Sequence, residues 1–277
     1  VLYLCDWLPP DFGAVGQYSL HFARERAAAG HDVVLAGLSS RANSIERHRI
    51  GLGKLTVLRL HAKAYDRSDF ARRLVWTLDT NARLLWHTRE QLGKADEVIF
   101  TGSPPFMVHF LAPLNLLLRK RLVYRITDFH PECLMAAMDN VPLALKLFHR
   151  MTVLWRRTVQ QFEVLGEDQR LRLHEMGIGD DRITLKRDPC PVDISDDVVP
   201  LPVPAELRDH VVLLYSGNFG VAHDHETFVE GYDLHHQRGS GRVGLWLNAI
   251  GRNADLVEQE LRKRRLPVYR SRPVPLD

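Results

Sequence analysis

Short, mostly apolar β-type runs alternate with longer segments of helical periodicity along most of the chain, which restricts the fold to parallel sheet covered by helices. Val1 to Cys5, Asp32 to Gly37, Leu55 to Leu60, Glu97 to Thr101, Leu122 to Ile126, Phe162 to Leu165 and Arg182 to Leu185 read as strands of a first sheet. They show little polar alternation, as expected of strands buried on both faces. Between the first two, Leu20, Ala23 and Ala27 recur at helical spacing and Gly30 supplies a stop, which makes a βαβ unit. Phe70, Leu74, Leu78, Ala82 and Leu85 mark a second amphipathic helix, and further helices are predicted over 105–118, 142–159 and 167–176.

The texture changes where Pro189, Pro191, Pro200, Pro202 and Pro204 crowd together with Asp193, Asp196 and Asp197. This predicts a linker at 189–204 between an N-terminal Rossmann-like domain, 1–188, and a second domain, 205–277. In the second domain, strands are predicted over 211–215, 243–247 and 267–269, with helices over 223–237 and 254–264. So few strands leave a naked edge and little buried area, so the second domain is expected to be incomplete.

Formal charge is +3, with the basic surplus confined to residues 1–188 and an acidic excess in the rest. No single basic stripe stands out, so nucleic acid is not an expected partner, whereas anionic phosphates or an anionic membrane surface would suit the charge. Cys5, Cys133 and Cys190 are widely spaced and form no C-x-x-C pair. That argues against a disulfide framework or a zinc site and for a cytoplasmic location. No signal peptide is read at the start, and the absent initiator Met suggests a trimmed N-terminus. The most apolar stretch, Pro104 to Leu118, is too short to span a bilayer. It ends on Arg119-Lys120-Arg121, and Arg156-Arg157 follow Trp155, so a peripheral position on the inner membrane face is a second reading of these helix ends.

Three segments carry candidate chemistry. Pro9-Pro10-Asp11-Phe12-Gly13-Ala14-Val15-Gly16 is a strand-to-helix connection in which Gly13 and Gly16 would let backbone approach a diphosphate. The dinucleotide fingerprint G-x-G-x-x-G is absent, which disfavours a nicotinamide enzyme. Thr127-Asp128-Phe129-His130-Pro131-Glu132 follows a buried strand directly. Asp128 or Glu132 could orient or deprotonate a hydroxyl, and His130 could hydrogen-bond a sugar; a capped helix start with a charged first turn is the alternative. Tyr215-Ser216-Gly217-Asn218-Phe219-Gly220 repeats the strand–glycine–turn–helix theme in the second domain. Two such turns, one per domain, are expected to confront each other across a cleft. His223-Asp224-His225-Glu226 invites a metal reading, but acids at a helix start are more simply dipole partners, and no metal site is expected.

On these residues the chain resembles the family 4 glycosyltransferases. Pro9 to Val33 looks like their opening glycine loop and helix, and V-L-G-E-D-Q-R-L-R-L-H-E-M-G-I at 164–178 is similar to their last N-domain strand and helix. R-D-P-C-P-V-D at 187–193 resembles the interdomain crossover, and L-L-Y-S-G-N-F-G at 213–220 the first strand and turn of the donor domain. The resemblance implies an α/β GT-B fold, two Rossmann-like domains with parallel sheets facing a central cleft, truncated here at the C-terminus. It implies transfer of a sugar from a nucleotide diphosphate sugar, with retention and without a required metal or other cofactor, to a saccharide or lipid-linked acceptor in envelope polysaccharide or glycolipid synthesis. By this likeness Gly13, Ala14, Val15 and Gly16 approach the donor diphosphate or the acceptor, His130 lies near the transferred sugar, and Ser216, Gly217, Asn218 and Gly220 enclose the diphosphate. Two departures stand out. Asn218 and Val221-Ala222-His223 occupy the place of the family's Arg and Lys, so neutralisation falls to Arg187, Arg252 or a segment outside the sequence. The family's paired glutamates would lie beyond Asp277. A sugar-nucleotide epimerase of the same fold and a non-catalytic nucleotide-sugar binding protein are the rival readings.

Overall fold

The computed structural model describes residues 1–11, 13–63, 70–136, 138–190, 197–220 and 223–271, without the side chains of 70, 71 and 73. Phe12, the linker residues 191–196 and the turn residues Val221 and Ala222 lie outside the described residues. The chain divides into two compact units, Val1–Pro191 and Val192–Asp277.

In the first unit the chain runs β1 (Leu2–Trp7), α1 (Ala14–Ala28), β2 (Asp32–Ser39), β3 (Ser44–Ile50), β4 (Gly53–His61), α2 (Phe70–His87) and α3 (Arg89–Lys94). It continues through β5 (Glu97–Thr101), α4 (Val108–Leu118), β6 (Arg121–Ile126), α5 (Glu132–Ala136), α6 (Leu143–Arg157), β7 (Gln161–Val164), α7 (Glu167–Glu175) and β8 (Ile183–Leu185). Among the described residues these strands form one sheet in the order β3-β4-β2-β1-β5-β6-β7-β8. All neighbours are parallel except β3, which pairs antiparallel with β4.

Period-two alternation along β1 explains the layering. Leu2 and Leu4 face a core shared with Leu84, Leu92, Leu111, Phe100 and Phe162, while Tyr3 and Cys5 face one shared with Phe22, Ala23 and Ala27 of α1. Both faces of β1 are thus covered, and its residues are apolar up to the point where it leaves the core at Asp6. β3 is not foreseen by the apolar pattern. Its S-I-E-R-H-R-I sequence is charged and solvent-exposed along most of its length, because it lies at the sheet's edge.

The second unit comprises β9 (Val211–Asn218), α8 (His225–Arg238), β10 (Val243–Ile250), α9 (Arg252–Lys263) and β11 (Val268–Ser271). Its described strands form a parallel sheet in the order β11-β10-β9, over a core of Val229, Tyr232, Leu245, Leu247, Val257 and Leu261. The turn predicted from Ser216 onward begins later than expected. Ser216, Gly217 and Asn218 stay in β9 because each remains in register with β10, opposite Asn248, Ala249 and Ile250.

Candidate functional site

The strand order of the first sheet reverses at β1. From there the chain builds outward through β2 and β4, then returns to the other side of β1 with β5 and continues through β6, β7 and β8. Open α/β sheets receive ligands at the carboxyl ends of the strands flanking such a reversal. Residues 8–11 and 13, after β1, and loop 102–107 flank it here, and loop 127–131 lies beside the second.

Asp6 stands near the carboxyl end of β1, where Ser103 Oγ donates to its Oδ2 at 2.7 Å. Burial pushes the Asp6 carboxyl up to about 6; the Ser103 hydroxyl works against that shift and the Asp128 charge adds to it. Asp128 itself is exposed. Gly102 passes so close to it that a Cβ there would meet the Asp128 carbonyl oxygen at 3.1 Å. His130 is half-buried with its ring edge-on to Phe106, centroids 6.0 Å apart. Phe106 sits at φ 70°, a left-handed conformation that costs a non-glycine residue about 1–3 kcal/mol and that recurs at ligand sites. Its ring also meets His109 and Phe148. His109 Nε2 lies 2.9 Å from Thr152 Oγ1, and burial, assisted by the Arg156 charge, pulls its pKa down to about 4, so it is neutral near pH 7.

Asp6 and Ser103 carry no signal in the motifs read from the sequence. The one legible cue is an acid closing an otherwise apolar strand, the same cue that singles out Asp128 after β6.

Glu132, grouped with Asp128 and His130 by sequence, is engaged differently from them. Both of its carboxylate oxygens accept from Arg156, Oε2 at 3.1 Å from Nη2, and His149 Nε2 is 3.2 Å from Oε1. Burial opposes its ionisation, but the Arg156 guanidinium outweighs this and holds the carboxyl below the usual carboxylate range. Arg156 Nη2 also donates to the His130 carbonyl at 2.8 Å. Arg156, read from sequence as part of a basic helix end, is therefore fully buried and faces inward.

In the first turn, Gly13 is the N-cap of α1, with Ala14 and Val15 as its first helical residues. A Cβ on Gly16 would overlap the Trp7 carbonyl oxygen, so close packing of α1 on the end of β1 is what demands glycine there. No side chain caps α1, which leaves first-turn amides open to anionic oxygen or water. The loop is pinned from the flank, since Ser39 Oγ and Ser40 N donate to Asp11 Oδ2 at 2.7 and 3.0 Å and Arg59 Nε donates to Pro9 O at 2.7 Å.

Arg187 is exposed just after β8, and its neighbour Asp188 accepts from Arg125 Nη2. Arg125 is buried, pairs with Glu163 at 2.9 Å and lies 4.2 Å over the Phe22 ring. The two buried guanidinium groups of this region, Arg125 and Arg156, are thus consumed by internal carboxylates, and Arg187 is the exposed one beside them. Hydroxyl, carboxyl and imidazole groups remain at the edge, which suits a neutral polyhydroxylated ligand better than a polyphosphate.

In the second unit, Ser216 Oγ accepts from Asn248 Nδ2 at 3.0 Å, and Gly217 takes φ 147°, which favours glycine. A Cβ on Gly220 would sit 3.3 Å from Asn218 Nδ2. α8 is capped by Asp224, whose Oδ1 accepts from the amides of Glu226 and Thr227. An anion approaching α8 would meet that carboxylate first. α9 differs: Gly251 at φ 107° is its N-cap, no side chain caps it, and exposed Arg252 is its first residue. The anion-friendly helix start of this unit is therefore that of α9.

No protein-family model and no curated protein matches the sequence. Solved structures do match in fold. An α,α-trehalose-phosphate synthase (UDP-forming) from Burkholderia vietnamiensis aligns at TM-score 0.59 and 13% identity, over 99% of this chain and 73% of that one. HepE of Anabaena, in complex with UDP and glucose, aligns at 0.58 and 12%, over 99% and 70%. The lipopolysaccharide outer core galactosyltransferase WaaB, in its apo form, aligns at 0.52 and 12%, over 99% and 68%. The chain thus has the α/β GT-B fold that these glycosyltransferases share.

Proposed function

We propose that the protein is a glycosyltransferase that moves a sugar from a nucleotide diphosphate sugar to a hydroxyl of a saccharide or lipid-linked acceptor, with retention, in envelope polysaccharide or glycolipid synthesis. The observation that carries this reading is the constellation at the strand-order reversal: Asp6 bonded to Ser103, with Asp128 and His130 alongside. In this reading that edge receives the sugar. Asp128 and His130 orient its hydroxyls, and Glu132 acts by holding loop 127–132 in place rather than as an acid or base. The structural neighbours that were solved with UDP or UDP-glucose support a nucleotide-sugar donor.

Within the first unit the first-turn amides of α1 at Gly13, Ala14, Val15 and Gly16 are assigned to phosphate, and within the second unit Ser216, Gly217, Asn218 and Gly220. Arg187 and Arg252 supply the positive charge. Transfer proceeds without a metal or other cofactor. The acid at Asp224, where a cation would help departure of a diphosphate, favours one second reading: a protein that binds nucleotide sugar without turning it over.

Incubation with a panel of UDP-, GDP- and dTDP-sugars separates the two. Transfer predicts release of nucleoside diphosphate only when an acceptor is present, undiminished by EDTA, with NMR showing the donor's anomeric configuration in the product. Binding of nucleotide sugar with no turnover for any acceptor would establish the second reading, and no binding at all would sink both.

A further inference from the structure

α6 presents to solvent a face that its packing does not use. Leu143, Leu147, Met151 and Leu154 are 71%, 53%, 41% and 60% exposed. At helical spacing they fall within an arc of roughly 80°. Buried Arg156 lies on the opposite side of the helix, and Phe148 and Thr152, which contact His109 of α4, lie to one side. The other side of the arc carries Lys146, Arg150 and Arg157, all exposed. α6 contains no acidic residue, and Glu132, the acid it touches, is occupied by Arg156 and His149. Asp139 is the exposed acid that precedes the helix.

α4 repeats the pattern. It too lacks acids, exposes Leu116 and Leu117 at 60% and 81%, and leads into Arg119, Lys120 and Arg121. α4 and α6 lead directly into the neighbouring parallel strands β6 and β7, so they run in the same direction and their C-terminal ends lie together. Beside those ends is an open hollow of about 460 Å³, lined by Asn115, Arg119, Lys120, Arg121, Thr158 and Gln160. Arg121 leans toward Glu97 at 3.6 Å, whereas exposed Arg119 has no partner among the described residues.

We propose that the outer face of α6 and the end of α4 form a docking surface for an anionic lipid bilayer. Leucine side chains at this spacing fit the boundary between headgroups and acyl chains, and the flanking cations fit phosphate at headgroup depth. Among the described residues no helix is long and apolar enough to cross a membrane, so the surface lies on the bilayer rather than in it. A second copy of the chain is a poor occupant, because pairing this face with itself would bring the two sets of cations together. The surface is independent of the sugar-transfer reading, and its test contains no nucleotide sugar, so either can fail alone.

The full chain is sedimented with vesicles of phosphatidylcholine and of phosphatidylcholine mixed with phosphatidylglycerol. Binding to the mixed vesicles at least about tenfold above neutral ones is expected, weakening as salt rises. Leu147→Glu with Leu154→Glu abolishes it, and Lys146→Ala with Arg150→Ala lowers it roughly twentyfold to thirtyfold, about fivefold for each charge. Circular dichroism confirms that these surface variants stay folded; if the leucine pair unfolds, the Lys146/Arg150 pair decides the matter. The proposal is overturned by absence of binding to mixed vesicles, by undiminished binding in the folded variants, or by a dimer that the leucine variants dissolve in a protein that ignores vesicles.

Discussion

Arg156, which has no exposed surface, reaches both carboxylate oxygens of Glu132 with its two terminal nitrogens and holds the His130 carbonyl with one of them. One buried cation thereby ties α6 to the loop that carries Asp128 and His130. Removing one partner of such a pair strands the other charge, so Glu132→Ala is expected to cost about 3–5 kcal/mol in urea unfolding. Because the Glu132 pKa is depressed in the fold, its contribution is present above the ordinary carboxylate range and is lost as pH falls through the folded value. A Glu132→Ala protein with unchanged stability at neutral pH would remove the pair from this role.

His130→Ala should behave in the opposite way. Arg156 holds residue 130 through its backbone carbonyl, which alanine retains. Turnover is expected to fall by about tenfold or more while the melting temperature hardly moves. If the variant unfolds and surviving molecules turn over normally, the imidazole is structural.

Asp6 gives the stability curve a second pH signature. With a folded pKa of about 6, above the unfolded value, the native state holds a proton that the unfolded chain releases. Its contribution is fully present below the unfolded pKa and is lost as pH rises from about 4 through 6. Asp6→Asn should therefore gain stability over the parent across that window, by up to about 3 kcal/mol above it. Parallel melting curves for the two proteins between pH 4 and pH 8 would refute the raised pKa.

Two glycines offer a paired test of backbone packing. Gly16→Ala drives a methyl into the Trp7 carbonyl and is expected to cost about 1–3 kcal/mol. Gly93→Ala, exposed in α3 with nothing within 4 Å of the new methyl, should stabilise by up to about 1 kcal/mol. Equal effects in denaturant titrations would contradict the close approach at Gly16.

Much of the fold is legible in the sequence because burial on both faces forces a recognisable texture. Val98, Ile99 and Phe100, or Leu122, Val123 and Tyr124, can be little else than central strands. β3 escapes this logic since an exposed edge strand needs no apolar residues, and Ser216 to Asn218 read as a turn because glycine and asparagine signal bends, although pairing with β10 keeps them extended. The candidate site is less legible for a related reason. Asp128 and His130 follow their strand in an ionisable cluster that attracts notice, whereas Asp6 matters through a partner 97 residues away. Whether an acid such as Glu132 is spent on a buried counter-ion depends on Arg156, a residue of another helix, and no local pattern reveals it.

The borders of the first sheet have a consequence for what can join it. On one side the final strand carries Glu46, Arg47, His48 and Arg49 in succession, with Glu46 bridged to Arg59 at 2.6 Å. On the other, the last strand offers only Ile183 to Leu185. Neither rim is a template for an incoming extended peptide or for amyloid-like stacking. Visitors must therefore be received by loop tips and helix flanks, which leaves the central scaffold undisturbed by recognition.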